Sequence, residues 1–290
     1  MRRITLLTNP DICNLKCPLC FLQQRGRSFG MGEMPFETAV AAIQEYEDGL
    51  EEVIPSTMGE PLLYSNFSRL LDFCSDRRIL LNLTTNGTFP GMWGKPAGYE
   101  KLLRACSDIK ISGLAFECGD VQGAAFDERT WKENVERLLE CRLQLVREGE
   151  TRLSTVSLQM TLHRKNACRA EEILRWAEAV GVHRIKWNPV VFLSVADRRL
   201  VAEYGLEKFD LEELRGRLVS TKLKCGGSLF FEKKLAGCGT AEKEKISECA
   251  FRDEIWILPD GSEQNCPNPE RRFGNPESER AQCENCVMRG

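Results

Sequence analysis

Three cysteines near the start of the chain have the spacing of a metal-binding loop. They are Cys13, Cys17 and Cys20, in the pattern C-x3-C-x2-C, and the short apolar run Ile4 to Leu7 precedes them. Cysteine thiolates are the usual protein ligands of iron–sulfur clusters. A cube of four irons held by three thiolates leaves one iron with an open coordination position, which catalysis requires. The pattern therefore predicts a catalytic [4Fe–4S] cluster.

A zinc site is the alternative for the same cysteines, because C-x2-C also occurs in zinc-binding loops. Structural zinc takes four protein ligands, and no fourth cysteine or histidine lies in the adjoining loop. The chain has only two histidines, His163 and His183, and each stands alone in the sequence. That scarcity argues against a histidine metal site and against a histidine-based catalytic triad.

Length and composition fit one barrel-sized domain with a small appendage. The chain has 290 residues, of which 42% are apolar, enough for a sizeable core. It has neither an apolar run of about 20 residues nor the long apolar region of a signal peptide. We therefore expect a soluble, cytoplasmic protein, whose 14 cysteines would not form disulfides there. The net charge is −3 without basic blocks, so neither nucleic acid nor a membrane is expected as a partner.

Strand-like and helix-like segments alternate along the first two thirds of the chain. The predicted strands are Ile4–Thr8, Glu52–Ser56, Leu80–Thr84, Ile109–Phe116, Ser154–Thr161 and Arg184–Val190. The predicted helices are Phe36–Tyr46, Asn66–Cys74, Tyr99–Cys106, Thr130–Val146 and Ala170–Val180. Six such alternations predict an α/β fold, a partial (β/α)6 barrel of TIM type over residues 1–195 with a small cysteine-rich extension over residues 196–290. In such barrels the functional site lies at the carboxyl ends of the strands.

Two short motifs follow predicted strands at that end of the barrel. Gly59-Glu60-Pro61 comes after the second strand, and Thr85-Asn86-Gly87 comes after the third. Together with the cysteine loop they resemble the radical S-adenosylmethionine (radical SAM) superfamily. The resemblance implies that the open iron binds the amino and carboxylate groups of SAM. Reductive cleavage then releases a 5′-deoxyadenosyl radical that takes hydrogen from a substrate, and an external electron donor of flavodoxin or ferredoxin type is needed.

The same resemblance assigns roles to residues around SAM. Glu60 would receive the SAM amino group, the T-N-G stretch would lie near the methionyl and ribose groups, and Ser112 would face the carboxylate. Polar residues on the last two predicted strands are further candidates. The expected cofactor-binding residues are Gly59, Glu60, Thr85, Asn86, Ser112, Gln159 and Asn188.

A second group of cysteines lies near the carboxyl terminus. Its members are Cys225, Cys238, Cys249, Cys266, Cys283 and Cys286. Ile255–Leu258, followed by Pro-Asp-Gly, predicts a strand that enters a hairpin. The arrangement resembles the SPASM or shortened twitch extension of radical SAM enzymes, which implies one auxiliary [4Fe–4S] cluster and thus two clusters in all. A zinc ribbon is the alternative.

Six cysteines exceed the four ligands that a cluster needs, so one thiol could return hydrogen to a substrate radical. This set resembles the radical SAM epimerases of aminoglycoside biosynthesis, the class that converts neomycin C to neomycin B by inverting a carbinol carbon. That resemblance makes Cys249 the hydrogen donor and makes Cys238, Cys266, Cys283 and Cys286 the ligands. Spacing alone instead makes Cys249 a ligand and leaves Cys225 or Cys238 as donor. Both assignments stay open, with Cys225 the substitute for Cys238 as ligand.

An aminoglycoside carries several ammonium groups, so its pocket should present carboxylates. The candidates are Glu117, Asp120, Asp127, Glu128, Asp253 and Glu254. Three other functions remain open. They are a twitch-type alcohol dehydrogenase of an aminocyclitol, a peptide-modifying SPASM enzyme, and a non-catalytic zinc or iron–sulfur module. The peptide-modifying enzymes usually carry a domain before the barrel, and Met1 lies close to the first predicted strand.

Overall fold

The computed structural model describes residues 2–26, 28–56, 58–113, 127–207, 213–214, 216, 228–231, 254–266 and 268–286. The strands in these ranges are β1 Arg2–Leu6, β2 Leu50–Pro55, β3 Leu80–Thr85, β4 Cys106–Ser112, β5 Thr155–Leu162, β6 Arg184–Pro189, β7 Ser228–Phe231, β8 Ile255–Ile257 and β9 Glu263–Gln264. The α-helices are α1 Phe21–Gln24, α2 Phe36–Glu45, α3 Phe67–Asp76, α4 Pro96–Ala105, α5 Glu128–Arg147, α6 Ala170–Val180, α7 Arg198–Tyr204 and α8 Pro269–Phe273.

These strands form one sheet in the order β7-β6-β5-β4-β3-β2-β1-β8-β9. All neighbouring pairs are parallel except β8 and β9, which form an antiparallel hairpin. β1 to β6 follow one another in chain order with helices between them, which confirms the predicted α/β partial barrel. β8 pairs with β1 in register Thr5↔Trp256, so the hairpin that the sequence predicted extends the same sheet. The division at residue 195 stays a prediction.

The two faces of the sheet differ in polarity. Side chains on the outer face are fully buried under the helices, among them Leu81, Leu83, Ile109, Ile111, Val156, Leu158 and Met160. Each such side chain contributes roughly 1.5–3 kcal/mol through its burial. Alternate residues point inward and are largely polar. At the amino end of the barrel, for example, Asp108 accepts hydrogen bonds from Ser157 (2.6 Å) and Arg184 (2.7 Å).

Local signals explain where several helices begin and end. Asp127 caps α5 by accepting a hydrogen bond from the Thr130 N–H at 2.7 Å, so the helix begins two residues before the predicted start. Gly181 ends α6 in the left-handed conformation, with φ of 84°. No helix among the described residues is long and apolar enough to cross a membrane.

Most predicted elements shift by one to three residues at one or both ends, and strand pairing explains the differences at β4 and β7. Cys106 was predicted to end a helix but begins β4, because it pairs with Leu81 on β3. β4 then ends at Ser112, and the predicted continuation from residue 114 to residue 116 lies outside the described residues. β7 was not predicted at all, and it pairs with β6 from Arg184 to Trp187.

Candidate metal and cofactor site

The cysteine loop leaves the carboxyl end of β1 and ends at α1. Cys17 is buried, with 5% of its surface exposed, whereas Cys13 and Cys20 are half-buried. A one-turn contact closes the loop, since the Cys20 N–H donates to the Cys17 carbonyl at 3.0 Å. Burial raises the pKa of the Cys13 and Cys20 thiols. The thiols therefore hold their protons until a metal displaces them.

The donor set of this loop fits an iron–sulfur cluster. Three thiols from one short loop are the ligand chemistry that such clusters use. Among the described residues, no group of three or more histidine, cysteine, aspartate or glutamate side chains converges on a single ion. The assignment of the three cysteines to an iron–sulfur cluster stays a prediction.

The G-E-P turn packs directly under the cysteine loop. The Glu60 N–H donates to the Ile12 carbonyl at 2.8 Å, and the Asn9 side chain donates to the Glu60 carbonyl at 2.7 Å. Gly59 has φ of +71°, and a Cβ placed there would lie 2.1 Å from the Asn9 carbonyl oxygen and 2.7 Å from that of Ile12. Glycine is required because the two backbones are already in contact.

The Glu60 side chain joins this turn to the T-N-G turn. Its carboxylate accepts hydrogen bonds from the Thr85 hydroxyl (2.8 Å), the Asn86 N–H (2.7 Å) and the Leu62 N–H (3.2 Å). Only 1% of the residue is exposed, and burial raises the pKa of Glu60 to about 7 although the three donors oppose the rise. The carboxylate is thus engaged inside the protein, and its contact with a SAM ammonium stays a prediction.

The Asn86 side chain connects the T-N-G turn to the cysteine loop. Its amide nitrogen donates to the Asn14 side-chain oxygen at 2.9 Å and to the Cys13 Sγ at 3.7 Å. Its oxygen accepts from the Thr88 N–H (2.9 Å) and hydroxyl (2.7 Å). All the hydrogen-bonding capacity of this side chain is used. Sequence reasoning placed Asn86 beside SAM; its bond to the sulfur of Cys13 carries no sequence signal.

Replacing Asn86 by alanine should loosen the first cluster, because the partners that orient a metal ligand typically account for 10- to 100-fold in metal affinity. We expect an iron chelator to remove iron from the Asn86→Ala variant about tenfold faster or more. Asn166→Ala is the matched control. Asn166 is also buried and also holds a turn, with a 2.7 Å bond to the Thr161 carbonyl, and its described hydrogen bonds stay between residues 161 and 169. Equal rates of iron release in the two variants would contradict this role for Asn86.

The remaining predicted cofactor residues lie at the mouth of the barrel. Ser112 on β4 is in register with Gln159 on β5, and Gln159 is in register with Lys186 on β6. Asn188 lies one layer further out, opposite Thr161. The Trp131 indole N–H donates to the Ser112 carbonyl at 3.0 Å, which fixes the end of β4. The structure thus brings Ser112, Gln159 and Asn188 to the same edge as the two motif turns, and their contacts with SAM stay predictions.

The described carboxyl-terminal segment packs against the cysteine loop. The Phe273 ring of α8 stacks on Phe21 of α1 with centroids 5.5 Å apart. The loop after β6 binds both helices, because the Leu193 N–H donates to the Gln24 side chain at 2.8 Å and the Ser194 N–H donates to Glu270 at 2.9 Å. The segment that carries Cys266, Cys283 and Cys286 is therefore anchored beside α1, the helix that follows the cysteine loop.

Three of the predicted auxiliary ligands lie in this segment. Cys266 follows the hairpin, and Cys283 and Cys286 form one turn, in which the Cys286 N–H donates to the Cys283 carbonyl at 3.4 Å. The Asn268 side chain ties the two parts together with a 2.9 Å bond to the Arg280 carbonyl. Thiols from a hairpin end and a nearby turn suit a second cluster in their chemistry. Cys225, Cys238 and Cys249 lie outside the described residues.

The described acidic candidates for substrate binding are engaged in other contacts. Glu254 forms an ion pair with Arg3 at 2.8 Å. Asp127 caps α5, and Glu128 accepts two hydrogen bonds from Arg169, at 2.7 and 2.9 Å, which hold the pKa of Glu128 below its usual value. Glu117, Asp120 and Asp253 lie outside the described residues. A substrate role for any of them stays a prediction.

Residues 10–177 match the family model described as the radical SAM superfamily. The fold is similar to that of Streptococcus suis SuiB bound to precursor peptide SuiA, with a TM-score of 0.65 and 15% identity over 95% of this chain and 61% of the SuiB chain. It is also similar to native anSMEcpe with bound AdoMet and Kp18Cys peptide, with a TM-score of 0.64 and 16% identity over 91% of this chain and 74% of that chain. The chain thus spans about three fifths of the length of SuiB. No curated protein matches the sequence.

Proposed function

The chain belongs to the radical SAM superfamily, and from this premise we propose that it cleaves SAM reductively at a cluster held by Cys13, Cys17 and Cys20 and modifies a peptide. When bound and reduced by an external one-electron donor, the cluster supplies the electron that splits the sulfonium and yields the hydrogen-abstracting 5′-deoxyadenosyl radical. A second cluster, held in part by Cys266, Cys283 and Cys286, belongs to the proposal.

In this scheme the protein's own residues bind the cluster, orient one of its ligands and exclude water. The three thiols would release their protons to solvent on ligating iron, and Asn86 orients Cys13 through the N–H···S contact at 3.7 Å. Glu60 holds the two motif turns in one fixed relation. Leu7 and Leu258, which follow β1 and β8, form a buried apolar cluster with Met58, Leu193 and Phe273, and in this scheme the cluster restricts water near a reactive radical.

One observation carries the choice of a peptide. The structural similarity to two proteins that were solved with peptides bound covers more than nine tenths of this chain. At 15–16% identity the likeness concerns the fold, so the substrate is an inference from architecture.

Deuterium transfer tests the substrate class. Reduced, cluster-loaded protein and SAM would be incubated either with a tryptic digest of uniformly deuterated cellular protein or with neomycin C deuterated at its carbinol carbons. Mass spectrometry then measures deuterium in 5′-deoxyadenosine. The proposal predicts incorporation from the peptide digest. Incorporation from neomycin C alone would contradict it.

An aminoglycoside epimerase is the second candidate, and the surplus of thiols favours it, since six cysteines lie between residues 225 and 286. In that reaction one thiol returns hydrogen after the radical has formed, with Cys249 as the first choice of donor. Cys249→Ala should then stop product formation while 5′-deoxyadenosine still forms, and solvent deuterium should appear at the inverted carbon of the wild-type product. Product without solvent deuterium would exclude the thiol donor.

A further inference from the structure

Arg272 in α8 is a buried cation with unused hydrogen-bond donors. Only 9% of the residue is exposed, yet its Nη1 and Nη2 have no hydrogen-bond partner. Removing a charged donor from water without a partner is costly, and burial lowers the pKa of this guanidinium to about 10. An anion beside these free N–H groups would offset the cost of burying the charge.

The surroundings of Arg272 fix where that partner lies. Its Nε donates to the carbonyl of Cys266, and its Cζ lies 3.3 Å from the centroid of the Trp256 ring. The nearby carboxylate of Glu254 is paired with Arg3 at 2.8 Å. The guanidinium is thus held between the backbone of a predicted auxiliary ligand and the face of the Trp256 ring.

We propose that Arg272 supplies the positive charge and the free N–H donors that stabilise the auxiliary cluster at Cys266 and raise its reduction potential. This inference rests on the second cluster of the proposed function. A [4Fe–4S] cluster with four thiolates is an anion, and reduction adds one more negative charge. Net charge and hydrogen bonds to sulfur are the factors that set such potentials.

The position of Arg272 affects whether the auxiliary cluster accepts or donates an electron more readily. A neighbouring cation favours the reduced, more negative form, so the auxiliary centre becomes a better electron acceptor and a poorer donor. Among the described arginines, only Arg272 is this buried beside a predicted auxiliary ligand. Arg25 lies in the turn after α1, and Arg271 on the same helix as Arg272 is exposed. The role is that of a positioning and tuning residue, and it does not require contact with substrate.

A redox titration of the isolated auxiliary centre tests the inference. The full chain would carry Cys13→Ala, Cys17→Ala and Cys20→Ala, so that only the second cluster remains, and its reduction would be followed by electron paramagnetic resonance. Arg272→Gln should disfavour reduction by about tenfold or more, which is 59 mV for a one-electron couple. Arg272→Lys keeps the charge and should change the equilibrium less. Arg271→Gln removes the same charge from the exposed side of α8 and should change it less than about twofold.

Equal potentials for wild type and Arg272→Gln would overturn the inference while leaving the second cluster in place. If the Gln variant loses the cluster, the Lys variant must retain it, and loss in both overturns the inference as well. Absence of iron and sulfide from the three-cysteine background would instead refute the second cluster itself, and with it this role for Arg272.

Discussion

Replacing Cys17 by alanine is expected to lower 5′-deoxyadenosine formation about a thousandfold or more, equivalent to at least about 4 kcal/mol of transition-state stabilisation. Cys17 is the most buried of the three thiols, with 5% exposure, and its carbonyl closes the loop onto Cys20. Two remaining thiols cannot hold the cluster, so the loss should be nearly complete. The measurements are iron content and 5′-deoxyadenosine after reduction in the presence of SAM.

Cys74→Ala is the matched control for that experiment. Cys74 is also buried, at 0% exposure, but lies on the buried face of α3, where burial raises the pKa of its thiol to about 12. Its loss should cost about 1 kcal/mol of stability as a small cavity and leave iron and activity in place. If Cys17→Ala retained SAM cleavage at the level of Cys74→Ala, the cluster would have to be assigned to other residues.

Gly59→Ala is expected to have the second largest effect. The added Cβ would lie 2.1 Å from one backbone oxygen and 2.7 Å from another, both in the loop that leads to Cys13. The backbone of that loop would have to move, because neither atom is the end of a flexible side chain. We expect a loss of about 3 kcal/mol or more in the free energy of unfolding, together with impaired cluster binding. Melting temperature and iron content report the two effects.

Gly49→Ala separates steric overlap from backbone strain. Gly49 has a similar φ of +78°, but nothing lies within 4 Å of its added Cβ. This variant should lose only the roughly 1–2 kcal/mol that the left-handed conformation costs a residue with a side chain, and it should keep its iron. Similar losses in both variants would show that strain alone is responsible and that the G-E-P turn does not support the cysteine loop.

Much of the barrel could be predicted because its signals are local. The outer face of β5 alternates buried Val156, Leu158 and Met160 with polar neighbours, and that period of two is visible in the sequence. Spacing alone also marked the cysteine loop. The hairpin at Pro259-Asp260-Gly261 was predicted from its turn residues and is present between β8 and β9.

The contacts that assemble the site could not be predicted in the same way. Glu60 was assigned to an ammonium by resemblance, yet its carboxylate meets Thr85 and Asn86, 25 and 26 residues further along the chain. Arg272 gave no signal at all, because a charged residue in a short helix is usually solvated. β7 was missed because its pairing with β6 joins segments about 40 residues apart. These contacts join residues that are distant in the sequence. The sequence shows the residue types but not which of them meet in the fold.

The central claim is that Cys13, Cys17 and Cys20 hold a cluster with an open iron for SAM. The most direct test is anaerobic reconstitution with iron and sulfide, followed by reduction with dithionite, addition of SAM and measurement of 5′-deoxyadenosine. The account predicts that 5′-deoxyadenosine forms, and that it disappears when these three cysteines are replaced. Zinc bound at this loop, or bound iron with SAM left intact after reduction, would contradict it.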